Sequence, residues 1–523
     1  VARDTSANQD GLEFREAKAF DDQLEPIVLM GSSLRDKTFA AASKDGRLTL
    51  FHGTSEKTLL DIPSSNPISA LNISPRLNGL VTVHQNGQAR LIEFDAAHPQ
   101  TNLKTLFGKI WYEGYQEPSY TWQSSAGTDD FEPKLSLIPL IFGTLKATFY
   151  TLIFAIPIGI LAAIYTSEFI SLRTRSVVKP MMEMMASLPS VVLGFVAALV
   201  LAPIVETWIS AVLVVFLALP LGLLLAAYLW QLVPSEHTSK VNDSGKLMFK
   251  ASVVLFTMWI SYLMGVPLEQ LMFEGDFKSW LMGQQGSSTP FLFLMMLPIH
   301  FIIIFALFSR FWGRQINQRM MTLSAPKAAL LDFARFAGLS IVSFVLSWLS
   351  AVVLQSFGVD VRGGFVDTYV QRNTLVVGLA MGFAVIPIIY TLAEDALKAV
   401  PEHLRAGSLG CGATHWQTAI WIVLPTAISG VFSAIMIGMG RAVGETMIVV
   451  MATGNTPIME TNIFNGLRAL SATIAVELPE AVKEGTLYRV LFLAGLVLFS
   501  MTFFINTLAE IVRMRFRKRA KQL

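Results

Sequence analysis

Long apolar runs dominate the chain from residue 135 onward, whereas residues 1–134 alternate short apolar stretches with polar turns. Nine runs approach the ~20 residues that a helix needs to span a bilayer. They are Leu145–Tyr165, Met184–Leu201, Trp208–Val233, Leu247–Val266, Phe291–Trp312, Phe336–Phe357, Leu375–Leu392, Ile428–Met451 and Val490–Val512. Several hold an internal proline (Pro157, Pro189, Pro220, Pro298, Pro387), which membrane helices tolerate better than soluble ones.

The N-terminal region follows a different period. Thr38–Ser43, a turn at Lys44-Asp45-Gly46 and alternating Arg47–Phe51 predict a β-hairpin. Leu80–His84, the turn Asn86-Gly87 and Ala89–Phe94 predict a second, since Asp-Gly and Asn-Gly between strand-like runs are strong hairpin signals. Gly46 and Gly87 lie 41 positions apart, a spacing that suits propeller blades of about 40–45 residues. Two blades cannot close a ring. The expectation is therefore the C-terminal part of a larger β-rich domain, with two unrelated hairpins in a small β-domain as the alternative. The polar opening, Val1–Glu25, carries no signal peptide and leads us to expect further residues upstream. The resulting division is 1–134, an extracytoplasmic β-rich domain; 135–233, the first membrane helices; 234–357, further membrane helices and loops; and 358–523, the remaining helices with a loop at 393–425 and a basic tail.

Composition supports a membrane protein: 53% of residues are hydrophobic and 15% charged, with mean hydropathy +0.53, against roughly 25% charged in a soluble domain. The net charge of +2 matters less than its placement. If the β-region is outside, inward loops gather Arg173, Arg175, Lys179, Lys240, Lys246, Arg310, Arg314, Arg319, Lys327, Arg335, Lys398 and Arg405. The tail adds Arg513, Arg515, Arg517, Lys518, Arg519 and Lys521. Outward loops hold only Lys278, Arg362, Arg372, Arg468, Lys483 and Arg489. This bias predicts a multi-pass protein of a bacterial inner membrane with the N-terminal domain periplasmic and the C-terminus cytoplasmic. Cys411 is the only cysteine, which excludes an internal disulfide and a cysteine metal site; it is expected as a small buried residue. No cofactor is expected.

Two features carry candidate chemistry. The inward loop Ala393–Pro425 predicts a short helix from Glu402, after Pro401, ended by Gly410 and Gly412, then a second stretch His415–Val423. Such a loop suits insertion into a partner's groove, or is an ordinary interfacial loop. Arg441 and Glu445 are four residues apart in the eighth apolar run, hence on one helical face. Each is costly in lipid. Arg441, with its fork of donors, suits an oxyanion. Glu445 would pair with it at rest; alternatively the two only neutralise each other. Thr446 lies beside them. Arg372 at the seventh helix could guide an anion or anchor at the interface, and Ser190 after Pro189 could donate a hydrogen bond to substrate or simply pack. His300 is expected as a packed, hydrogen-bonded histidine, and Glu168 and Glu183 as water- or partner-facing acids. The sequence lacks G-x-x-x-x-G-K-[S/T], H-E-x-x-H and G-x-S-x-G, so ATP hydrolysis is expected on a separate subunit and the chain itself is not expected to be an enzyme.

The loop resembles the coupling loop of ABC importer permeases, whose pattern is EAA, three residues, Gly, nine residues, Ile-x-Leu-Pro. Gly412, Ile422, Leu424 and Pro425 match; Ala406-Gly407-Ser408 stand at the EAA positions, so the acid is missing. Gly440–Asn455 (GRAVGETMIVVMATGN) resembles the RAxGET segment of Pst-type phosphate permeases of the C-type subunit (PstC). Arg372–Pro387, Ala393–Pro401, Leu470–Ala481 and Leu188–Phe195 support it. The resemblance covers about 135–203 and 371–515, and leaves 234–357 as inserted helices beyond the family's usual six. It implies a mainly α type I ABC importer permease fold behind a β-rich domain. It also implies ATP-binding subunits gripping Pro401, Arg405, Gly407 and the matched loop residues, a second, PstA-like permease, and a periplasmic phosphate-binding protein. Arg441, Glu445, Thr446, Ser190 and Arg372 would form the substrate path. The alternatives are a permease for sulfate, molybdate or phosphonate, a sensor or scaffold retaining the fold, and a channel without a motor.

Overall fold

The computed structural model describes residues 2–3, 12–13, 18–20, 26–64, 66–125, 131–233, 241, 243–363 and 366–520. Lys240, Lys521 and most of Val1–Glu25 lie outside the described residues. The longer strands are β1 Ile27–Ser32, β2 Thr38–Ser43, β3 Leu48–His52, β4 Lys57–Ile62, β5 Ile68–Ile73, β6 Gly79–His84 and β7 Ala89–Glu93. Helices follow: α1 Leu103–Phe107, α2 Ile138–Glu168, α3 Leu172–Ala186, α4 Ser190–Val196, α5 Ala202–Thr207, α6 Ile209–Gln231 and α7 Asp243–Phe273. The chain continues with α8 Phe277–Leu281, α9 Thr289–Phe311, α10 Gly313–Met321, α11 Ala325–Ser356, α12 Thr374–Lys398, α13 Glu402–Gly410 and α14 His415–Thr418. The last are α15 Leu424–Gly444, α16 Met447–Ala452, α17 Leu470–Glu477 and α18 Thr486–Ala520. Among the described residues, nine helical spans are long and apolar enough to cross a membrane, one for each apolar run in the sequence.

Contacts divide the chain into two units. The first comprises Val1–Leu145, Pro457–Met459 and Arg468–Phe503. Its β-part is two antiparallel meanders, β1-β2-β3-β4 and β5-β6-β7, with both expected hairpins in place and turn glycines Gly46 (φ +92°) and Gly87 (φ +81°). Alternate residues Ala40, Ala42, Leu48, Leu50, Ile68, Ile73 and Leu80 form one core between the sheets. A ring of blades is not formed by the described strands, so the propeller-like expectation reaches only as far as these meanders. A second core joins Leu106, Trp122, Leu137 and Leu140 to Leu470 and Leu491. Beside it Glu477 accepts from Trp122 Nε1 (3.1 Å) and Ser124 Oγ (2.9 Å) and pairs with Arg468. Burial pulls the Arg468 guanidinium below its usual pKa, and the charge of Glu477 opposes that shift.

The second unit comprises Lys146–Thr456, Glu460–Leu467 and Phe504–Leu523. Its axis is α12, two-thirds buried over its apolar window (67%), against at most 39% in the other spans. Gly438 of α15 lets α12 approach closely, since a Cβ there would meet Ile389 and Val385 side chains; small residues supply such helix contacts where lipid removes the hydrophobic drive. α6, expected among the first membrane helices, pairs with α7, and within the stretch expected as an insertion α9 pairs with α11. His300 Nδ1 lies 3.1 Å from Met296 O and 3.3 Å from Ser347 Oγ, and Nε2 lies 3.3 Å from Ser350 Oγ, the hydrogen-bonded packing role expected of it. Phe277 of α8, fully buried, packs on Phe464 at 5.4 Å between ring centroids.

Candidate functional site

The loop at one end of α12 folds as a helix, a sharp turn and a second helix. Pro401 is the N-cap of α13, whose residues are all exposed or half-buried. The chain reverses at Gly412, whose φ of +85° is open to glycine at no steric cost. Thr414 then caps α14 in a capping box with Gln417. Ser408 and Thr418 hydroxyls meet at 3.0 Å and brace the two helices. Ala419–Val423 widen into a π-turn containing Ile422, and α15 begins at Leu424-Pro425. Such single π-turns within helices are frequent at functional sites. Cys411, expected buried, is exposed, because it caps a helix that has no covered face.

One arginine fixes this loop to the helices above it. Arg405 donates from one terminal nitrogen to Val400 O (2.6 Å), from the other to Leu397 O (2.7 Å), and from Nε to Glu168 Oε1 (3.2 Å). It thereby grips the last turn of α12 at Leu397 O and the segment just beyond it at Val400 O, and ties both to the last residue of α2. Glu168, expected to face water or a partner, is instead largely enclosed, its side chain only 8% exposed.

Beside Arg405 lies a carboxylate hub that the sequence reading did not single out. Glu394 is fully buried. It accepts from Arg175 Nε at 2.7 Å and from Lys398 Nζ at 2.7 Å, and Lys179 approaches at 3.4 Å. Lys179 also reaches Asp395 at 2.7 Å; its hydrogen bond to Asp395 holds the ammonium pKa above the usual lysine value. Three cations on α3 and α12 thus converge on one acid in α12. The signal was present: an acid inside an apolar helix is rarely idle.

The sequence-chosen path residues are distributed differently. α15 ends at Gly444, and Glu445 is extended (φ −67°, ψ 129°) as its C-cap. The expectation of Arg441 and Glu445 on one face of a continuous helix is corrected: Arg441 is exposed in the last turn of α15, and Glu445 sits in the break. The described ion pairs do not include one between them. Thr446 is the N-cap of α16 and its hydroxyl donates to Gly444 O at 3.3 Å. Ser190 opens α4 behind Pro189. α4 crosses α16 at Gly194, where a Cβ would lie 3.0 Å from Met447 O, so the structure brings the Ser190 helix and the Thr446 helix together. Arg372 does not begin α12. It precedes the N-cap Asn373, whose Oδ1 accepts from Val376 N at 3.1 Å, and its own side chain is exposed. Broken helices at membrane depth are tolerated where they line a cavity or are buried in protein.

Residues 286–522 match the family model of the binding-protein-dependent transport system inner membrane component. The match starts inside the stretch read from sequence as inserted. A phosphate transport system permease protein PstC of Mesorhizobium japonicum is 36% identical over 138 residues, 26% of this chain and 42% of the relative. A PstC 1 of Mycobacterium tuberculosis is 36% identical over 142 residues, 27% and 42%. A probable ABC transporter permease, YqgH of Bacillus subtilis, is 27% identical over 192 residues, 37% and 56%. The chain thus matches less than half the length of these PstC relatives. No solved structure matches. The nine candidate spans among the described residues make the chain a multi-pass membrane protein.

Proposed function

We propose that this chain is the membrane-spanning subunit of an ATP-driven importer for inorganic phosphate. The observation that carries the reading is the exposed α13–α14 elbow, locked to α12 and α2 by Arg405. A force applied to that elbow is delivered to α12, the most enclosed of the spans, because Arg405 bonds Leu397 O in its last turn. ATP is hydrolysed on partner subunits that grip Pro401, Arg405, Gly407, Gly412, Ile422, Leu424 and Pro425. A second permease subunit and a periplasmic phosphate-binding protein complete the system. The elbow and basic tail face the cytoplasm, and the β-sheets face the periplasm. The similarity to PstC proteins supports phosphate as cargo.

The broken α15–α16 helix carries Arg441, Glu445 and Thr446, with Ser190 on the helix that crosses it, as the anion path; Arg372 serves the outer approach. A guanidinium offers paired donors to an oxyanion, and a nearby carboxylate keeps the binding shallow enough for release. The test is radiolabelled phosphate uptake in cells lacking their own phosphate importers, complemented with the full system. Arg441→Ala should cut uptake at least tenfold with membrane levels unchanged. Excess sulfate, molybdate or phosphonate should not compete. Competition by one of them, with no phosphate uptake above background, replaces phosphate by that anion. Normal phosphate uptake by the Arg441→Ala variant removes Arg441 from the path.

A further inference from the structure

One charged side chain of the second unit has no place in the path described so far. Lys146 lies two turns into α2 and is 4% exposed, yet its Nζ meets no hydrogen-bond acceptor among the described residues. An ammonium taken out of water costs several kcal/mol unless it is paired. Kept inside a membrane span at that cost, an ionisable group marks a tight pair or an ion pathway. The pair is not made. Glu460 is the acid whose charge reaches Lys146, but its carboxylate accepts from Asn465 Nδ2 at 2.5 Å, and the described ion pairs do not join it to the lysine. We propose that Lys146 is the first station of the anion path: an oxyanion arriving from outside docks on its ammonium before passing to Arg441. This station rests on the transport reading and adds to it a binding group that the sequence did not single out.

Helix packing puts the ammonium at the end of the molecule opposite the elbow. α2 and α12 run side by side in the same direction: a Cβ on Gly378 would lie 3.4 Å from Tyr150 O, and one on Gly159 would lie 3.0 Å from Ile389 Cγ2. Lys146, one turn before Tyr150, is therefore level with the first turn of α12, where the helix dipole favours an anion. Along α2 it stands ~33 Å from Glu168, about the full depth of a hydrocarbon core. Residues 460–467 are fastened over this end. Tyr150 Oη donates to Thr461 O at 2.7 Å, and Thr374 N and Leu375 N donate to Asn465 O and Ile463 O at 3.0 Å. Lifting this one loop opens Lys146 to the outside and carries Glu460 away from it; reseating the loop returns the negative charge and drives the anion onward. The two cations divide the work. A lysine ammonium is a point charge with three rotatable donors, able to capture an oxyanion in any orientation, whereas the planar fork of Arg441 fixes that orientation.

The test measures phosphate uptake against phosphate concentration, with the full system in cells lacking their own phosphate importers. Lys146→Met should raise KM about tenfold or more, the worth of one hydrogen bond to a charged group, and leave Vmax within about twofold. Lys146→Arg should keep KM within about threefold of wild type. Glu460→Gln retains an acceptor for Asn465 and removes the opposing charge, so it should lower KM. Unfolding temperatures of the purified complex supply a second readout. Removing a buried, unpaired charge should leave Lys146→Met at least as stable as wild type, whereas loss of a lysine that only holds the fold together would lower its unfolding temperature. An unchanged KM in Lys146→Met, a drop in stability that accounts for its lost uptake, or loss of the second permease subunit from its complex would each overturn the station. Absence of uptake by wild type would overturn the transport reading itself, and the station with it.

Discussion

At the scale of single residues, the decisive group is a carboxylate that the sequence alone did not single out. Glu394 is fully enclosed among Arg175, Lys179 and Lys398, while its neighbour Asp395 pairs with Lys179 at the surface, 54% exposed. Removing the acid from a buried pair leaves cations without a partner, whereas exposed pairs contribute little. Glu394→Gln should therefore cost about 1–3 kcal/mol, read as a lowered unfolding temperature in nanodiscs, and Asp395→Asn should cost under about 1 kcal/mol. Equal effects would show that burial does not distinguish the two. His52 gives a pH-dependent counterpart in the β-sheets. Its Nδ1 accepts from the Ser55 backbone N–H at 3.2 Å, and burial pushes its pKa from 6.5 down to about 4. Below pH 6.5 the unfolded chain takes up a proton that the folded one refuses, so stability falls from pH 6.5 to about 4 and then levels. Thermal melts across that range should show the slope in wild type and a flatter profile in His52→Gln. None of this was legible in the sequence beyond the presence of the residues, because burial decides it.

At the scale of elements, hydrophobic period did most of the work. The apolar runs became helical spans, and Asp45-Gly46 and Asn86-Gly87 became hairpin turns, because both patterns are local. The break between α15 and α16 was not legible: Ile428–Met451 reads as one apolar run, and the sequence marks the break only by Gly444 followed by Glu445. Beyond the break, α16 packs on α4 at Gly194, a contact between segments far apart in sequence. Gly194 should thus be intolerant. A Cβ would stand 3.0 Å from both Met447 O and Met451 Sδ, so Gly194→Val must push the helices apart. We expect about 1–3 kcal/mol of destabilisation, visible as lower membrane yield and unfolding temperature, whereas Val192→Ala on the exposed side of α4 should change neither. The elbow was legible in outline, including its start at Glu402 and its turn at Gly412. Its attachment through Arg405 was not, because the bonded partners, Leu397 O and Glu168, are main-chain and distant in sequence.

At the scale of the whole molecule, sidedness is what joins the elbow to a motor, and the chain carries its own probe of it. Cys411 is the only cysteine in the sequence and is exposed at the end of α13, one residue before the reversal at Gly412. The orientation we propose from the asymmetric placement of Lys and Arg has this end of the helices on the cytoplasmic side. A membrane-impermeant maleimide should therefore label Cys411 in inverted vesicles and leave intact spheroplasts unlabelled, with Cys411→Ser removing the signal in both. If the elbow is where the ATP-binding subunits dock, co-expressing them should slow labelling in inverted vesicles by about tenfold, since a seated partner excludes reagent from the α13–α14 turn. Gly412→Val should lift that protection, because a β-branched residue at φ +85° strains the backbone and reshapes the turn without removing the thiol. Labelling from the outside would reverse the whole arrangement. Labelling from the inside that is indifferent to the ATP-binding subunits would keep the topology and place their docking surface elsewhere.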